Sequence, residues 1–220
     1  VPAQSAHVVR HPLRQGRSAR CRLALRHGVS PNATNTPDAG AVAAAEPTPA
    51  GGSVAALAGA LAASLGIMGT RLGHDVESER QLTQMQHRLR QLIQDDAHAY
   101  NQLMSAYKIP KQEPERPRSI SMALHLATEI PIEVAELACE IGSVIHASTP
   151  SVKQAVRSDM IVGMIMAIAA AEAGLHTASY NMQLNQHVME STSARAARAI
   201  RNLEELKRLC YTPPPFESAL

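Results

Sequence analysis

Aromatic side chains are nearly missing from this chain: its 220 residues hold no Trp, one Phe and four Tyr, 2% in all. A β-sandwich core leans on aromatic and β-branched residues, so the deficit favours packed helices. It also removes the stacking surfaces of a single-strand nucleic-acid binder. A net charge of +2 adds no basic footprint, so nucleic acid is not an expected partner. Cysteine is scarce too. Cys21, Cys139 and Cys210 are odd in number and lack zinc or redox spacing, which reads as reduced thiols of a cytoplasmic protein. Of the ten histidines most stand singly, and the close pair His7 and His11 lies in the N-terminal tail, so no metal is expected. Long hydrophobic runs are also wanting. Val54 to Gly69 is uncharged but short of the roughly 20 apolar residues of a span, and Met160 to Ala171 stops at Glu172. Both read as buried core helices, with no membrane partner.

What is present is aliphatic. Hydrophobic residues make up 45% of the chain, enough for a core of Leu, Ile, Val, Met and Ala. Residues 1–46 stand apart. Six arginines, from Arg10 to Arg26, precede the first acidic residue, Asp38, and a polar run from Pro31 to Asp38 follows. Such a segment buries too little apolar surface to offset its ordering entropy, so a disordered basic tail is expected. A dispensable extension is the preferred reading; an organelle transit peptide is the alternative. Residues 47–212 read as the helical domain and 213–220 as a C-terminal tail.

The periodicity from Ser53 onward predicts about five helices and no strand. The first carries Val54, Leu57, Leu61, Leu65, Met68 and Leu72 on one stripe, expected to face the core. Its other side, with Ala55, Gly59, Ala63 and Gly66, is expected to meet a second helix at close range, and this Ala/Gly face suggests a homodimer. A long second helix, from about Val76 to Tyr107, has its seam at Leu82, Met85, Leu89, Leu92, position 96, Ala99, Leu103 and Ala106. A third begins near Ser119 and should kink or break near Glu129, because Pro131 falls within it. Thr149-Pro150 reads as the capped start of a fourth helix running toward Tyr180. A last helix, Gln183 to Cys210, should turn Ile200, Leu203 and Leu206 inward and Arg195, Arg198 and Arg201 outward.

Two features carry candidate chemistry. Pro47-Thr48-Pro49-Ala50-Gly51-Gly52-Ser53 delivers two glycines and a serine to a helix start. Backbone N–H groups there lack intrahelical partners and favour an anion or a polarised carbonyl. Ser53 is expected to cap one of them. The second is Asp96, a carboxylate on an apolar seam, which is costly unless it is paired or hydrogen-bonded. Burial there would raise its pKa toward the range of a general acid or base; the structural alternative is pairing with a buried Arg or capping another helix. Its neighbour Asp95 reads as solvated. Asp159 falls in register with Val152, Val156, Val162 and Met166 and is a second candidate acid, though a helix-end or subunit-contact role is the preferred reading.

The segment Pro47 to Leu61 resembles the entry motif Pro-Thr-Pro-Gly-Gly-Gly-Ser-Val-Ala-Ala-Leu-Ala-Gly-Ala-Leu of the cyclodeaminase/cyclohydrolase family. Ala50 stands where that family has its first glycine. If that position needs a left-handed backbone, alanine would cost about 1 kcal/mol or more. Asp96-Ala97-His98-Ala99-Tyr100 and the ending Ile109-Pro110-Lys111 are similar to further family segments, as are Ser158-Asp159 and the stretch Tyr180-Asn181 to Asn185. The resemblance implies an all-α homodimer over roughly Pro47 to Cys210. Asp96 would be the catalytic carboxylate, and Gly51, Gly52, Ser53, Lys111, Asp159 and Asn181 would contact a tetrahydrofolate derivative that is substrate, with no permanently bound cofactor. The implied reaction is closure of 5-formiminotetrahydrofolate to 5,10-methenyltetrahydrofolate with release of ammonia, with a separate formiminotransferase as supplier. Methenyltetrahydrofolate cyclohydrolase and a non-catalytic helical dimer are the alternatives.

Overall fold

The computed structural model describes residues 37–185 and 189–211. Among them there are only helices and turns. A short α1 (Ala39–Val42) precedes five long helices: α2 (Gly51–Gly73), α3 (Val76–Lys108), α4 (Arg116–Ser148), α5 (Gln154–Leu184) and α6 (Glu190–Tyr211). Of the predicted tail, residues 1–36 lie outside the described residues, as do Cys21, the 213–220 tail and its prolines. Residues 39–42 are helical, because the Asp38 carboxylate accepts the Ala41 N–H at 2.7 Å.

α3 follows its sequence pattern closely. The Asp75 side chain caps it by accepting from the Ser78 N–H, and Leu82, Met85, Leu89, Leu92, Ala99, Leu103 and Ala106 are all buried. α2 inverts its pattern. Its small residues Ala55, Ala56, Gly59, Ala62, Ala63 and Gly66 are buried, whereas Val54, Leu61, Met68 and Leu72 are exposed, Leu61 and Leu72 by 48%. The Ala/Gly side meets neighbouring helices at close range as expected, but within the chain's own bundle, and the expectation of an inward leucine stripe is corrected. α2 is apolar all round, so side-chain size decides which face is enclosed. α3, α4 and α5 all pack on it, and a Cβ at position 66 would stand 2.7 Å from Ile145 Cγ1. Neighbours at that distance admit only the small residues.

α2 and α5 lie antiparallel. Gly51 is near Thr177, Gly59 near Ala170, and Gly73 near Val152. Both helices are long and apolar enough to cross a membrane by length and composition alone; 56% and 44% of their most apolar windows are buried inside the bundle. The uncharged runs seen in the sequence are thus the centres of longer helices.

Pro131 does not break α4, which runs unbroken from Arg116 to Ser148. A proline inside a helix leaves the carbonyl four residues earlier without its N–H partner. That carbonyl belongs to Ala127, and the Asn181 side-chain amide of α5 donates to it at 2.6 Å. Thr149-Pro150 does not open α5. The Thr149 hydroxyl donates back to the Ile145 carbonyl at 2.7 Å, residues Thr149–Ser151 form a 3-10 turn, and α5 starts at Gln154. α5 extends past Tyr180 to Leu184, so α6 starts at Glu190 rather than Gln183. Ile200 is 51% exposed, not inward; Ala196, Ala199, Leu203 and Leu206 make the buried side of α6.

Candidate active site

Antiparallel packing of α2 on α3 sets the N-terminus of α2 against the middle of α3. Ala50 is the N-cap, with φ −119° and ψ −164°, and no described glycine has a positive φ. Extended backbone of this kind suits any residue, so alanine in place of the family's first glycine carries no strain. Gly52 is required for a different reason. A Cβ there would lie 2.6 Å from Asp96 Cγ and closer still to Oδ1. At Gly51 a Cβ would meet only Thr177 Oγ1, at 3.9 Å.

Asp96 thus sits directly on the first turn of α2. The fully buried Ser53 donates its hydroxyl to Asp96 Oδ2 at 2.8 Å, and its backbone N–H also bonds the carboxylate. Ser53 does not cap its own helix through its side chain; Asp96 provides the cap from α3. Burial pushes the Asp96 carboxyl above its ordinary value, with the hydroxyl and N–H of Ser53 pulling the other way. Among the described residues, none of the groups shifting its pKa is a cation.

The structure brings Asp96, Gly51, Gly52 and Ser53 together. Asn181 belongs to the same end of the bundle, since Thr177, one turn earlier, borders Gly51. One N–H of its amide is committed to the Ala127 carbonyl, which leaves its second N–H and its carbonyl oxygen as the groups that could meet a ligand. Lys111 is exposed in the turn between α3 and α4. Asp96 to Lys108 spans roughly 18 Å of helix at 1.5 Å per residue, so Lys111 stands at the tip of the α3–α4 hairpin, beyond the α2 terminus. Asp159 is not part of this cluster within one chain. It lies in the second turn of α5, beside Met160, which packs at Gly69. Gly52 to Gly69 is roughly 25 Å of helix.

Sequence reasoning missed a charge network on the neighbouring faces of α3, α4 and α6. Arg88 holds Glu133 through two bonds of 2.5 and 2.8 Å and reaches Asp95 at 3.1 Å, so Asp95 is an ion-pair member, not merely a solvated residue. Arg195, expected to point outward, pairs with Glu129 and Glu136, and Arg198 also reaches Glu136. Arg88, Asp95, Glu129, Glu133 and Arg195 border a cavity of about 240 Å³ that also touches His98. A larger cleft of about 790 Å³ runs along the hairpin past His98, Asn101, Ser105, Met122 and Leu126. Asp96 lines neither; His98, two residues on, borders both.

Cys139 is buried in the core, its thiol pushed up to about 11 by burial and by the nearby Glu136 charge. Such a thiol is inert as a nucleophile at neutral pH. Among the described residues no group of three or more His, Cys, Asp or Glu is placed to hold a metal ion.

Residues 39–200 match the family described as Formiminotransferase-cyclodeaminase. A methenyltetrahydrofolate cyclohydrolase of Methylorubrum extorquens is 30% identical over 180 residues, which cover 75% of this chain and 84% of that protein. The crystal structure of formiminotetrahydrofolate cyclodeaminase from Thermotoga maritima matches with a TM-score of 0.63 and 20% identity, over 77% of this chain and 85% of that one. At that identity the likeness speaks to the fold. The match through most of the helical bundle, Asp96 and its glycine turn included, establishes that this chain belongs to the formiminotransferase-cyclodeaminase family of folate one-carbon enzymes.

Proposed function

We propose that this chain hydrolyses the one-carbon bridge of 5,10-methenyltetrahydrofolate to give 10-formyltetrahydrofolate, with Asp96 as the proton-transfer group. The carrying observation is a half-buried carboxylate with a raised pKa, set on the first turn of α2 and bonded by Ser53 rather than by a cation of the described residues. The similarity to a cyclohydrolase through most of both chains supports this choice over the sister reaction.

In the proposed step a water oxygen bonds to the bridge carbon and Asp96 takes one water proton. The carbinolamine then collapses: the bond from carbon to N5 breaks, the hydroxyl becomes the formyl oxygen on N10, and N5 gains a proton. One proton is released overall. A carboxylate above its pKa is the active form, and proton transfer by such a group contributes typically ~10²–10⁴-fold. Gly51 and Gly52 let the substrate approach the helix terminus, and Lys111 at the hairpin tip suits the carboxylates of a folate tail.

A second reading keeps the same residues. In 5-formiminotetrahydrofolate N10 attacks the formimino carbon, its proton is lost, and the departing amine must be protonated to leave as ammonia. Asp96 then acts as an acid, and a formiminotransferase must supply the substrate. The two reactions demand opposite charge states of one group. Turnover of the methenyl substrate, corrected for uncatalysed hydrolysis, should rise with pH through the Asp96 titration. Deamination of the formimino substrate as the main activity, falling over the same range, would replace the first reading with the second. Turnover of neither substrate would leave a non-catalytic helical protein.

We also propose that the chain is a homodimer, joined through the exposed stripe of α2 and the bordering Val162 and Ile165 of α5. Leu65 of that stripe abuts Gly163 of α5, so the two apolar strips adjoin. Single exposed leucines are ordinary, but a continuous apolar face along two helices is what a partner covers. Leu61→Glu should halve the sedimentation mass; an unchanged mass would place the contact elsewhere.

A further inference from the structure

We propose that Ser53 is a positioning residue whose hydroxyl turns between two acceptors and so serves Asp96 in both of its charge states. This rests on the reading of Asp96 as the proton-transfer group. The Ser53 Oγ lies 2.8 Å from Asp96 Oδ2 and 3.2 Å from the Ile93 carbonyl oxygen, and the residue is wholly buried. A hydroxyl has one proton to give and lone pairs to receive with, whereas a backbone carbonyl only accepts. With Asp96 ionised, Ser53 gives its proton to Oδ2. With Asp96 protonated on Oδ2, the carboxyl O–H donates to Oγ and the serine proton turns to Ile93. Neither state leaves the buried hydroxyl without a partner, which would otherwise be costly. A serine that merely tied α2 to α3 would need only one of these acceptors.

The arrangement has a consequence for turnover. Each cycle, Asp96 takes a proton from the attacking water and returns one to N5. The serine proton moves only by rotation about the Cβ–Oγ bond, so no proton is gained or lost by the relay. The neighbouring carboxylates on α3 and α4, Asp95 and Glu133, are bound to Arg88. Ser53 is therefore the side chain positioned to follow the Asp96 proton.

The test is infrared difference spectroscopy of the full chain during a pH titration, with Asp96→Asn used to assign the Asp96 carboxyl band. Wild type should show a protonated-carboxyl stretch lowered by hydrogen-bond donation. Ser53→Ala should move that stretch to higher frequency and raise the pH of titration, since the lost donor served the charged form more strongly. Turnover should fall about 10-fold, the loss of one hydrogen bond to a charged group, chiefly in kcat. Ser53→Thr keeps the hydroxyl and should restore the lowered stretch. If Ser53→Ala does not fold, Ser53→Cys, of similar size and a poor hydrogen-bond partner, is read the same way. An Asp96 stretch and titration unchanged in the Ala or Cys variant would overturn the proposal. Wild-type turnover in Asp96→Asn would instead overturn the catalytic reading, while the infrared result would still report on the serine.

Discussion

Two sets of carboxylates in this bundle meet opposite surroundings. Glu129, Glu133 and Glu136 of α4 each face a guanidinium, from Arg88 of α3 or Arg195 of α6. Among the described residues, Asp96, on the next face of α3, is bonded by a hydroxyl and a backbone N–H, both of Ser53. Burial acts on Glu136 and Asp96 in the same direction. At Glu136 burial raises the pKa, but Arg195 and Arg198 more than reverse it, and the carboxyl is held below its ordinary value. At Asp96 the bonds from Ser53 do not reverse it and the pKa ends raised. The difference teaches how to separate a structural acid from a working one: a charge already answered by arginine resists taking a proton, and one answered only by dipoles can exchange it.

Asp96→Asn breaks the comparison most sharply. Turnover should fall by about 10²–10⁴-fold, measured as loss of methenyl-folate absorbance. Stability should move the other way. The folded-state pKa is raised, so the ionised carboxyl opposes folding above the unfolded value, and this cost disappears as pH falls below it. Asp96→Asn should therefore raise Tm at pH 8 and leave it unchanged at pH 3. A lower Tm at pH 8 would mean that the carboxylate is structural after all.

The glycine turn gives the next largest effect. Gly52→Ala drives a Cβ into the Asp96 carboxyl and should cost about 1–3 kcal/mol together with most of the activity. Gly51→Ala should change stability by less than about 0.5 kcal/mol. Equal effects at the two positions, by urea unfolding, would remove the close approach of α2 to Asp96 from the account.

Arg195→Ala tests the other carboxylate set. It should cost about 1–2 kcal/mol at neutral pH, because Glu129 and Glu136 lose a half-buried partner. Glu136 contributes stability above the ordinary glutamate value of 4.5, lost as pH falls through its lower folded value. The penalty of the variant should shrink over that same acid range. Turnover per folded molecule should change little, which distinguishes this set from Asp96.

The smallest effect concerns the Pro131–Asn181 pair. Asn181→Ala strands the Ala127 carbonyl and should cost about 1 kcal/mol. Pro131→Ala restores an N–H to that carbonyl, so in the double variant the asparagine deletion should cost less. Strict additivity in a double-mutant cycle would show that the two residues do not share the carbonyl.

These residues also show what could be read from the chain alone. α3 was legible because it is amphipathic: one seam of aliphatic residues faces the bundle, and a single carboxylate on it announced Asp96. α2 was not, because every face is apolar, and the enclosed side was chosen by how closely three neighbours approach. The carbonyl that Pro131 leaves over in α4 is met by Asn181, fifty residues further on, a partner that no local pattern contains. The proline did mark Ala127 as a carbonyl in need of a donor, and that clue could have led to Asn181. Arg88 and Arg195 carry no signal of their own, since an arginine on a polar face looks alike whether it meets water or a glutamate from another helix. Asp159 was drawn in by register and resemblance, although its helix turn lies at the far end of α2 from Gly52.

The most direct measurement is the pH dependence of methenyl-folate hydrolysis by wild type and Asp96→Asn, each corrected for the uncatalysed rate. The account predicts a wild-type rate that climbs with pH through one ionisation, and a variant whose small residual rate lacks that climb. A variant that turns over at the wild-type rate, with the same ionisation in its profile, would contradict it.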